Sequence, residues 1–220
     1  MDLKKPLLAQ KRSNIQMPPY RNFPMVPRVV FGRGCFQQLG DILMPKRRHA
    51  EAPIIFLVDD VFEGAALATQ IPCIFNDQII YISAKEEPKT DQIDAIVKQL
   101  KESFSELPSG IVGIGGGTLL DIAKAVAILL TNTGSAKAYQ GWDLVQQAAV
   151  YHVGIPTLSG TGAEVSRTTV LLGPEKKLGI NSDHTTFDQV LLDPDLAQGM
   201  SKEQWFYTGC LLYTSPSPRD

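Results

Sequence analysis

The residues best suited to chemistry are three consecutive glycines, Gly115, Gly116 and Gly117, which follow an apolar run and precede Thr118 and Asp121. Consecutive glycines let a backbone turn tightly and bring bare N–H groups close to a ligand. A helix N-terminus directly behind them adds partial positive charge, which favours a phosphate or pyrophosphate. The pattern therefore predicts a nucleotide-binding α/β domain.

The same residues also have a purely structural interpretation. Thr118 and Asp121 have the spacing of a capping box, in which both side chains satisfy free backbone N–H groups. Three successive glycines are more than a cap requires, which favours the phosphate site. The usual dinucleotide fingerprint fits poorly, because Thr118 stands where its third glycine belongs and no acid lies about twenty residues downstream. Any dinucleotide site here is therefore of a different variety.

A second glycine-rich segment follows the next apolar run. It offers the hydroxyls of Thr157, Ser159 and Thr161 beside bare backbone at Gly160 and Gly162. A polar loop that caps the next element is the alternative interpretation. Ligands of open α/β sheets bind outside the carboxyl ends of the strands, so two such loops on successive strands are a stronger signal than either alone.

Strand and helix patterns alternate along most of the chain. They predict strands at 28–31, 53–60, 78–83, 110–114, 151–155 and 189–193, and helices at 90–104 and 119–130. Residues 165–172 and 177–180 flank a turn at 173–176, which predicts a hairpin. The alternation predicts a parallel sheet with helices on both faces.

Composition narrows the class of protein. The 220 residues have room for one large domain, or for one domain and part of a second. A net charge of −2 does not favour binding to nucleic acid. The apolar run 122–130 is too short to cross a bilayer. Three widely spaced cysteines without a C-x-x-C pair indicate a reducing compartment. We expect a cytoplasmic protein that takes a small-molecule substrate.

The two ends of the chain differ from its middle. Residues 1–22 are rich in proline and basic residues, which predicts a disordered extension, with a targeting peptide as the alternative. We expect an α/β domain over 23–200 and the start of a second domain at 201–210. Residues 211–220 contain two X-Pro steps, which disfavour helix, and they resemble a translated sequencing adapter.

Two motifs carry a resemblance to a known family. Gly115-Gly-Gly-Thr-x-x-Asp-x-Ala-Lys124 and Pro156-Thr-x-Ser-Gly-Thr-Gly-Ala-Glu164 resemble the paired motifs of the iron-containing (metal-dependent) alcohol dehydrogenases. The resemblance implies the dehydroquinate synthase-like fold, in which an α/β dinucleotide-binding domain precedes an all-helical domain that holds Fe²⁺ or Zn²⁺. Segments 139–144, 159–167, 181–189 and 204–209 resemble the 3-deoxy-D-manno-octulosonate 8-oxidase branch of that family.

The resemblance also implies roles for individual residues. Gly115, Gly116, Gly117 and Thr118 would bind the NAD pyrophosphate, and Asp121 would line the nicotinamide side of the cleft.

Four further residues would complete the site. Asp60 would accept hydrogen bonds from the adenosine ribose and repel a 2′-phosphate, which favours NAD over NADP. Thr157 and Thr161 would bind the phosphates or the nicotinamide ribose, and Lys177 would reach the cofactor from the hairpin. Without the family context, Asp60 is a strand-end turn residue, Lys177 a turn charge and Lys124 a solvated helix residue.

The metal site is where the chain departs from the family. The family pattern continues Thr-Gly-Met-Asp, in which the Asp begins the metal site, and three histidines follow in the helical domain. Here Thr208-Gly209 precede Cys210 and Leu211, and His49, His152 and His184 lack ligand spacing. We therefore expect no metal site in this chain, a missing helical metal domain and no turnover of alcohol.

For an intact protein the resemblance implies NAD- and metal-dependent oxidation of a primary alcohol, with a homo-oligomer as an open possibility. In the octulosonate branch the substrate would be the C8 hydroxyl of an acidic eight-carbon sugar used in lipopolysaccharide synthesis. The branch name implies oxygen as the electron acceptor, whereas the glycine-rich loops imply NAD. A generic alcohol or aldehyde dehydrogenase of the same family and a non-catalytic nucleotide-binding fragment are the alternatives.

Overall fold

The computed structural model describes residues 25–74 and 76–215. The predicted extension at 1–22 and the last part of the tail, 216–220, lie outside the described residues. The strands are β1 (Val29–Phe31), β2 (Ile54–Asp59), β3 (Gln78–Ile82), β4 (Gly110–Gly115), β5 (Gly141–Trp142), β6 (Tyr151–Pro156), β7 (Thr168–Leu172), β8 (Lys177–Asn181) and β9 (Gln189–Leu192). The α-helices are α1 (Leu39–Leu43), α2 (Thr90–Ser103), α3 (Gly117–Thr131) and α4 (Lys202–Thr214).

Six strands form a parallel sheet in the order β1-β9-β6-β4-β2-β3. The predicted parallel α/β architecture and its six strands are confirmed. After β3 the chain crosses back over β2 to add β4, so the direction of strand addition reverses between β2 and β4. In open α/β sheets such a reversal opens a crevice at the carboxyl ends of the two strands.

Both faces of the sheet are covered, which explains why its strands are continuous apolar runs. On β2, Ile55 and Leu57 pack with α2 and α3 on one face. Phe56 and Val58 pack on the opposite face with residues of α1 and the turn before it. The sequence did not predict α1, which spans only 5 residues and is too short to show a helical period.

The helix α3 is buried on all sides, since it lies between the parallel sheet and a second sheet of order β5-β8-β7. A Cβ built at Gly113 would lie 2.6 Å from the Cβ of Ala123, so this glycine lets α3 pack directly on β4. The predicted hairpin is confirmed as antiparallel β7 and β8, closed by a hydrogen bond from Gly173 N to Lys176 O of 3.0 Å.

The helix α4 runs further than the sequence analysis expected. It continues through residues 211–214 and ends at Ser215, whose extended backbone is the conformation favoured before a proline. The expectation that residues after Cys210 would not extend a helix is therefore wrong for those four residues. In the described part of the chain, no helix has the length and apolar character needed to cross a membrane.

Candidate functional site

The first glycine turn (residues 115–117) joins β4 directly to α3. Gly116 is the N-cap residue of α3, and no side chain caps that end of the helix. The first intrahelical hydrogen bond runs from Leu120 N to Gly116 O (3.0 Å), so the backbone N–H groups of residues 117–119 precede the helical ladder. These N–H groups and the positive end of the helix dipole suit an anion.

The predicted capping box at Thr118 and Asp121 is wrong. The helix begins at Gly117, so Thr118 already lies within its first turn. The Asp121 carboxylate instead accepts a hydrogen bond from Val170 N (3.1 Å) on β7. The backbone carbonyl oxygen of Asp121 accepts another from Thr169 Oγ1 (2.7 Å). Burial raises the pKa of Asp121 to about 6, although the nearby Lys124 charge opposes the shift. Asp121 thus ties α3 to the second sheet.

The second glycine loop (residues 157–162) lies against the first glycine turn. Thr157 N donates to Gly115 O at 3.0 Å. A Cβ built at Gly116 would lie 2.7 Å from Leu158 Cδ1, and one built at Gly117 would lie 3.1 Å from Thr161 Oγ1. The two glycine-rich segments therefore meet at one edge of the sheet, and they can approach each other this closely because residues 116 and 117 lack side chains.

Within the second glycine loop, Gly160 and Gly162 have φ angles of 120° and 66°, which favour glycine. Side chains at Gly160 would also collide with the carbonyl oxygen of Thr208, so α4 packs directly on this loop. Of the predicted hydroxyl residues, Thr157 is buried and Thr161 is exposed at the open side.

Two acids lie at the end of the strand next to the first glycine turn. Strand β2 ends at Asp59, and Asp60 begins a short 3-10 turn. A Cβ built at Gly115 would lie 3.2 Å from the Cβ of Asp59, which places the acid pair beside the glycine turn. Burial raises the pKa of Asp59, and the adjacent Asp60 charge acts in the same direction. The sequence indicated Asp60 but not Asp59, although two acids stand together at this strand end.

The predicted site residue Lys177 lies at the start of β8, where it is exposed. Its Nζ forms an ion pair of 2.5 Å with Glu87 Oε1 in the loop before α2. Its charge also acts on Asp121, where it opposes the rise in pKa. The hairpin is thus joined to the loop before α2, while contact between Lys177 and a cofactor stays a prediction.

The interpretation of Lys124 as a solvated helix residue is wrong. Lys124 has no exposed surface, and its Nζ donates to backbone oxygens of residues 163, 166 and 168. The sequence could not predict this burial, because the hydrogen-bond acceptors of Lys124 lie in a segment about forty residues away.

The histidines do not form a metal centre in the part of the chain that the structure describes, where no group of three or more His, Cys, Asp or Glu side chains could hold a metal ion. His152 is buried against Phe187, and its Nδ1 lies 3.1 Å from Asp188 Oδ2. His184 lies in the 3-10 turn Asp183–Thr185. The described residues thus do not fit a divalent metal, and we assign no chemistry to one.

Comparison with known proteins gives a consistent match. The sequence model of the iron-containing alcohol dehydrogenase family matches residues 26–194. Alcohol dehydrogenase 4 of Saccharomyces cerevisiae (strain YJM789) is 29% identical over 184 residues, which are 81% of this chain and 47% of the yeast protein. Sulfoacetaldehyde reductase of Bilophila wadsworthia is 34% identical over 132 residues, 59% of this chain and 33% of that protein. The chain spans less than half the length of these curated relatives.

Solved structures share the fold. A sulfoacetaldehyde reductase from Bifidobacterium kashiwanohense, in complex with NAD⁺, superposes with a TM-score of 0.75 at 22% identity, over 86% of this chain and 50% of that one. An alcohol dehydrogenase from Oenococcus oeni gives a TM-score of 0.77 at 20% identity, over 87% of this chain and 51% of that one. At these identities the likeness shows the architecture alone.

Proposed function

This chain belongs to the iron-containing alcohol dehydrogenase family, and on that premise we propose that residues 25–215 form the NAD-binding part of an alcohol oxidoreductase. One observation carries the proposal: the first glycine turn and the second glycine loop meet at the carboxyl edge of the sheet, next to the point where strand addition reverses. A relative named NAD-dependent methanol dehydrogenase, from Bacillus methanolicus, is 28% identical over 80% of this chain and supports NAD as the cofactor.

In this proposal each part of the edge binds one part of NAD. The N–H groups at the start of α3 bind the pyrophosphate, which also fits the absence of a side-chain cap there. Thr157 and Thr161, on the facing loop, supply hydroxyls to the phosphates or the nicotinamide ribose. Asp60, beside the turn, accepts hydrogen bonds from the adenosine ribose. When bound, the nicotinamide ring accepts a hydride from the alcohol carbon.

The test adds a methyl group where the two glycine-rich segments meet. In Gly117→Ala the new methyl group would lie 3.1 Å from the Cβ, Cγ2 and Oγ1 of Thr161. We expect NAD affinity, measured by calorimetry, to fall at least about tenfold because the methyl group occupies the approach to the pyrophosphate. Gly199→Ala is the matched control, since a Cβ there meets no atom within 4 Å. Unchanged affinity in a folded Gly117→Ala protein would refute the proposed site.

For the substrate, we infer a primary alcohol and, more finely, the C8 hydroxyl of 3-deoxy-D-manno-octulosonate. The support for the sugar is the resemblance of residues 139–144 and 181–189 to that branch, and these segments are neighbours because Trp142 pairs with Asn181. The alternative, a generic alcohol or aldehyde dehydrogenase, is supported by relatives whose names cover different substrates, such as 4-hydroxybutyrate dehydrogenase of Cupriavidus necator, 31% identical over 56% of this chain.

The two alternatives differ in a direct assay of a metal-loaded protein that contains these residues. NADH formation with the eight-carbon sugar, at a rate above that with simple primary alcohols, would favour the octulosonate substrate. Faster oxidation of simple alcohols would favour the generic enzyme. Oxygen consumption without NADH formation would contradict NAD as the electron acceptor.

A further inference from the structure

A buried lysine connects the helix behind the first glycine turn to the residues that follow the second glycine loop. Lys124 Nζ donates to Ala163 O (2.5 Å), to Ser166 O (2.9 Å) and Oγ (3.1 Å), and to Thr168 O (3.0 Å). All four acceptors lie in residues 163–168, the connecting segment that joins the second glycine loop to β7. One cation thus holds the whole connecting segment.

The set of acceptors favours the charged form, since four oxygen atoms surround Nζ. An ammonium group has three N–H donors and no acceptor, which suits a set of oxygens. A neutral amine keeps only two donors, and its lone pair would face carbonyl oxygens. The face of the Phe187 ring, with its centroid 5.3 Å from Nζ, adds a cation–π contact on another side. The surroundings of Nζ are therefore built for a positive charge.

The charged groups around Lys124 come from three elements. Asp121 faces it from its own helix, and Glu164 faces it from the connecting segment. Lys177, on β8, acts on Asp121. Burial lowers the pKa of Lys124 to about 8, against the attraction of the two carboxylates. The side chain is therefore mainly charged below that pH and mainly neutral above it.

These contacts bear on the candidate site because Thr161 lies two residues before Ala163 and faces Gly117. We propose that Lys124 is a positioning residue of the NAD site, whose ammonium holds the connecting segment on α3 and so fixes the second glycine loop against the first glycine turn. This inference rests on the proposed function, since it concerns how the proposed site is held in shape.

The test replaces Lys124 by methionine, which keeps an unbranched side chain one atom shorter and removes the charge. We expect NAD affinity to fall about tenfold or more, and amide hydrogen exchange in residues 159–168 to become faster, with exchange in β4 unchanged. Lys101→Met is the matched control, because Lys101 Nζ on α2 donates to Leu129 O (3.0 Å) at the opposite end of α3. The control should leave both NAD affinity and exchange in 159–168 unchanged.

NAD affinity of the unaltered chain, measured as a function of pH, tests the positioning role separately from a general loss of stability. This test does not require the Lys124→Met protein to fold. NAD affinity should decrease between about pH 7 and about pH 9.5, as Lys124 loses its proton. The Lys101→Met protein should show the same decrease, and a folded Lys124→Met protein should show none. An affinity of the unaltered chain that is constant across this range would overturn the positioning role.

NAD binding by the unaltered chain, taken together with exchange in the Lys124→Met protein, distinguishes this inference from the proposed function. If the unaltered chain does not bind NAD, the proposed function is wrong, and with it the link of Lys124 to a cofactor. If the chain binds NAD but Lys124→Met leaves both affinity and exchange in 159–168 as they were, the proposed function stands and the positioning role is wrong.

Discussion

Three acids near the carboxyl edge of the sheet have different surroundings, and these surroundings give them different roles. Asp60 follows β2 at the open edge, whereas Asp121 is turned toward β7 and hydrogen-bonded there. Asp193, just after β9, accepts hydrogen bonds from three backbone N–H groups. We propose that Asp60 contacts the ligand, whereas the hydrogen bonds of Asp121 and Asp193 hold the fold.

The position of Asp60 leads to a prediction about cofactor choice. In Asp60→Asn we expect the affinity for NADP to rise about tenfold relative to NAD, because the carboxylate no longer repels a 2′-phosphate. Calorimetric titration with both cofactors measures the ratio. Asp41→Asn, which removes the same charge from α1, is the control and should leave the ratio unchanged. An equal ratio in Asp60→Asn and the unaltered chain would contradict ribose recognition by Asp60.

The position of Asp193 leads to a prediction about pH. Although burial opposes ionisation, the N–H groups of Phe36, Asp195 and Gly34 outweigh it and lower the pKa of Asp193 below its ordinary value of 3.8. A lowered native pKa stabilises the fold above the unfolded value, and this stabilisation is lost as pH falls through the native pKa. We expect Asp193→Asn to lower the free energy of unfolding by about 2 kcal/mol at neutral pH.

Urea unfolding of both proteins across the acid range tests this prediction. The difference between the unaltered chain and Asp193→Asn should shrink as the pH drops below about 4, where the carboxylate becomes protonated. A difference that stays constant down to the acid limit of the fold would show that the three hydrogen bonds do not depend on the carboxylate charge.

Sequence and structure agree best for residues whose position follows from strand order. The approach of Gly117 to Thr161 could be predicted because both follow parallel strands, and such strands present their carboxyl ends at one edge. The burial of Lys124 and the turn of Asp121 toward β7 could not, because both depend on how a later hairpin folds over α3. From local sequence alone, Asp121 was interpreted as part of a capping box and Lys124 as a solvated lysine. Tertiary contacts determine the position of both side chains instead.

At the scale of elements, α3 determines the arrangement of the site, since it carries the first glycine turn at its start and Lys124 within it. Its apolar run predicted a helix but not its two-sided packing between the parallel sheet and the second sheet. The strand β5, with only 2 residues, and the short helix α1 were missed because neither is long enough to show a period. The helices α2 and α3 and the longer strands of both sheets were predicted.

The close packing of α3 on β4 leads to a prediction about stability. In Gly113→Ala the added Cβ would lie 2.6 Å from that of Ala123, so the helix must move away from the strand. We expect the free energy of unfolding to fall by about 2 kcal/mol, as in other overpacked cores. Chemical denaturation measures the change, with Gly199→Ala as a control of the same chemical size. A loss no larger than in the control would show that this contact does not limit the packing of α3.

At the scale of the whole molecule, two apolar clusters on opposite faces hold one parallel sheet, and the glycine-rich edge lies at the carboxyl ends of its central strands. The architecture follows from the alternation of strand and helix patterns, and the family assignment follows from the paired motifs. The order of elements did not predict the second sheet. This sheet packs over α3 and brings Lys177 close enough for its charge to act on Asp121.

Binding should also stabilise the whole fold, because NAD contacts parts of the chain that come together only in the native state. At a free NAD concentration of about 100 times Kd, we expect the free energy of unfolding to rise by about 2.7 kcal/mol. Thermal unfolding with and without NAD measures this rise, and the Gly117→Ala protein should show a smaller one. Equal stabilisation of the two proteins would place NAD away from the first glycine turn.

We propose that the two glycine-rich segments together bind the pyrophosphate of NAD. A crystal structure of the complex with NAD tests it most directly. We predict pyrophosphate oxygens within hydrogen-bonding distance of the backbone N–H groups at the start of α3, with the second glycine loop on the opposite side and the adenosine ribose beside Asp60. NAD bound at another surface, or with its pyrophosphate away from residues 115–119 and 157–162, would contradict the account.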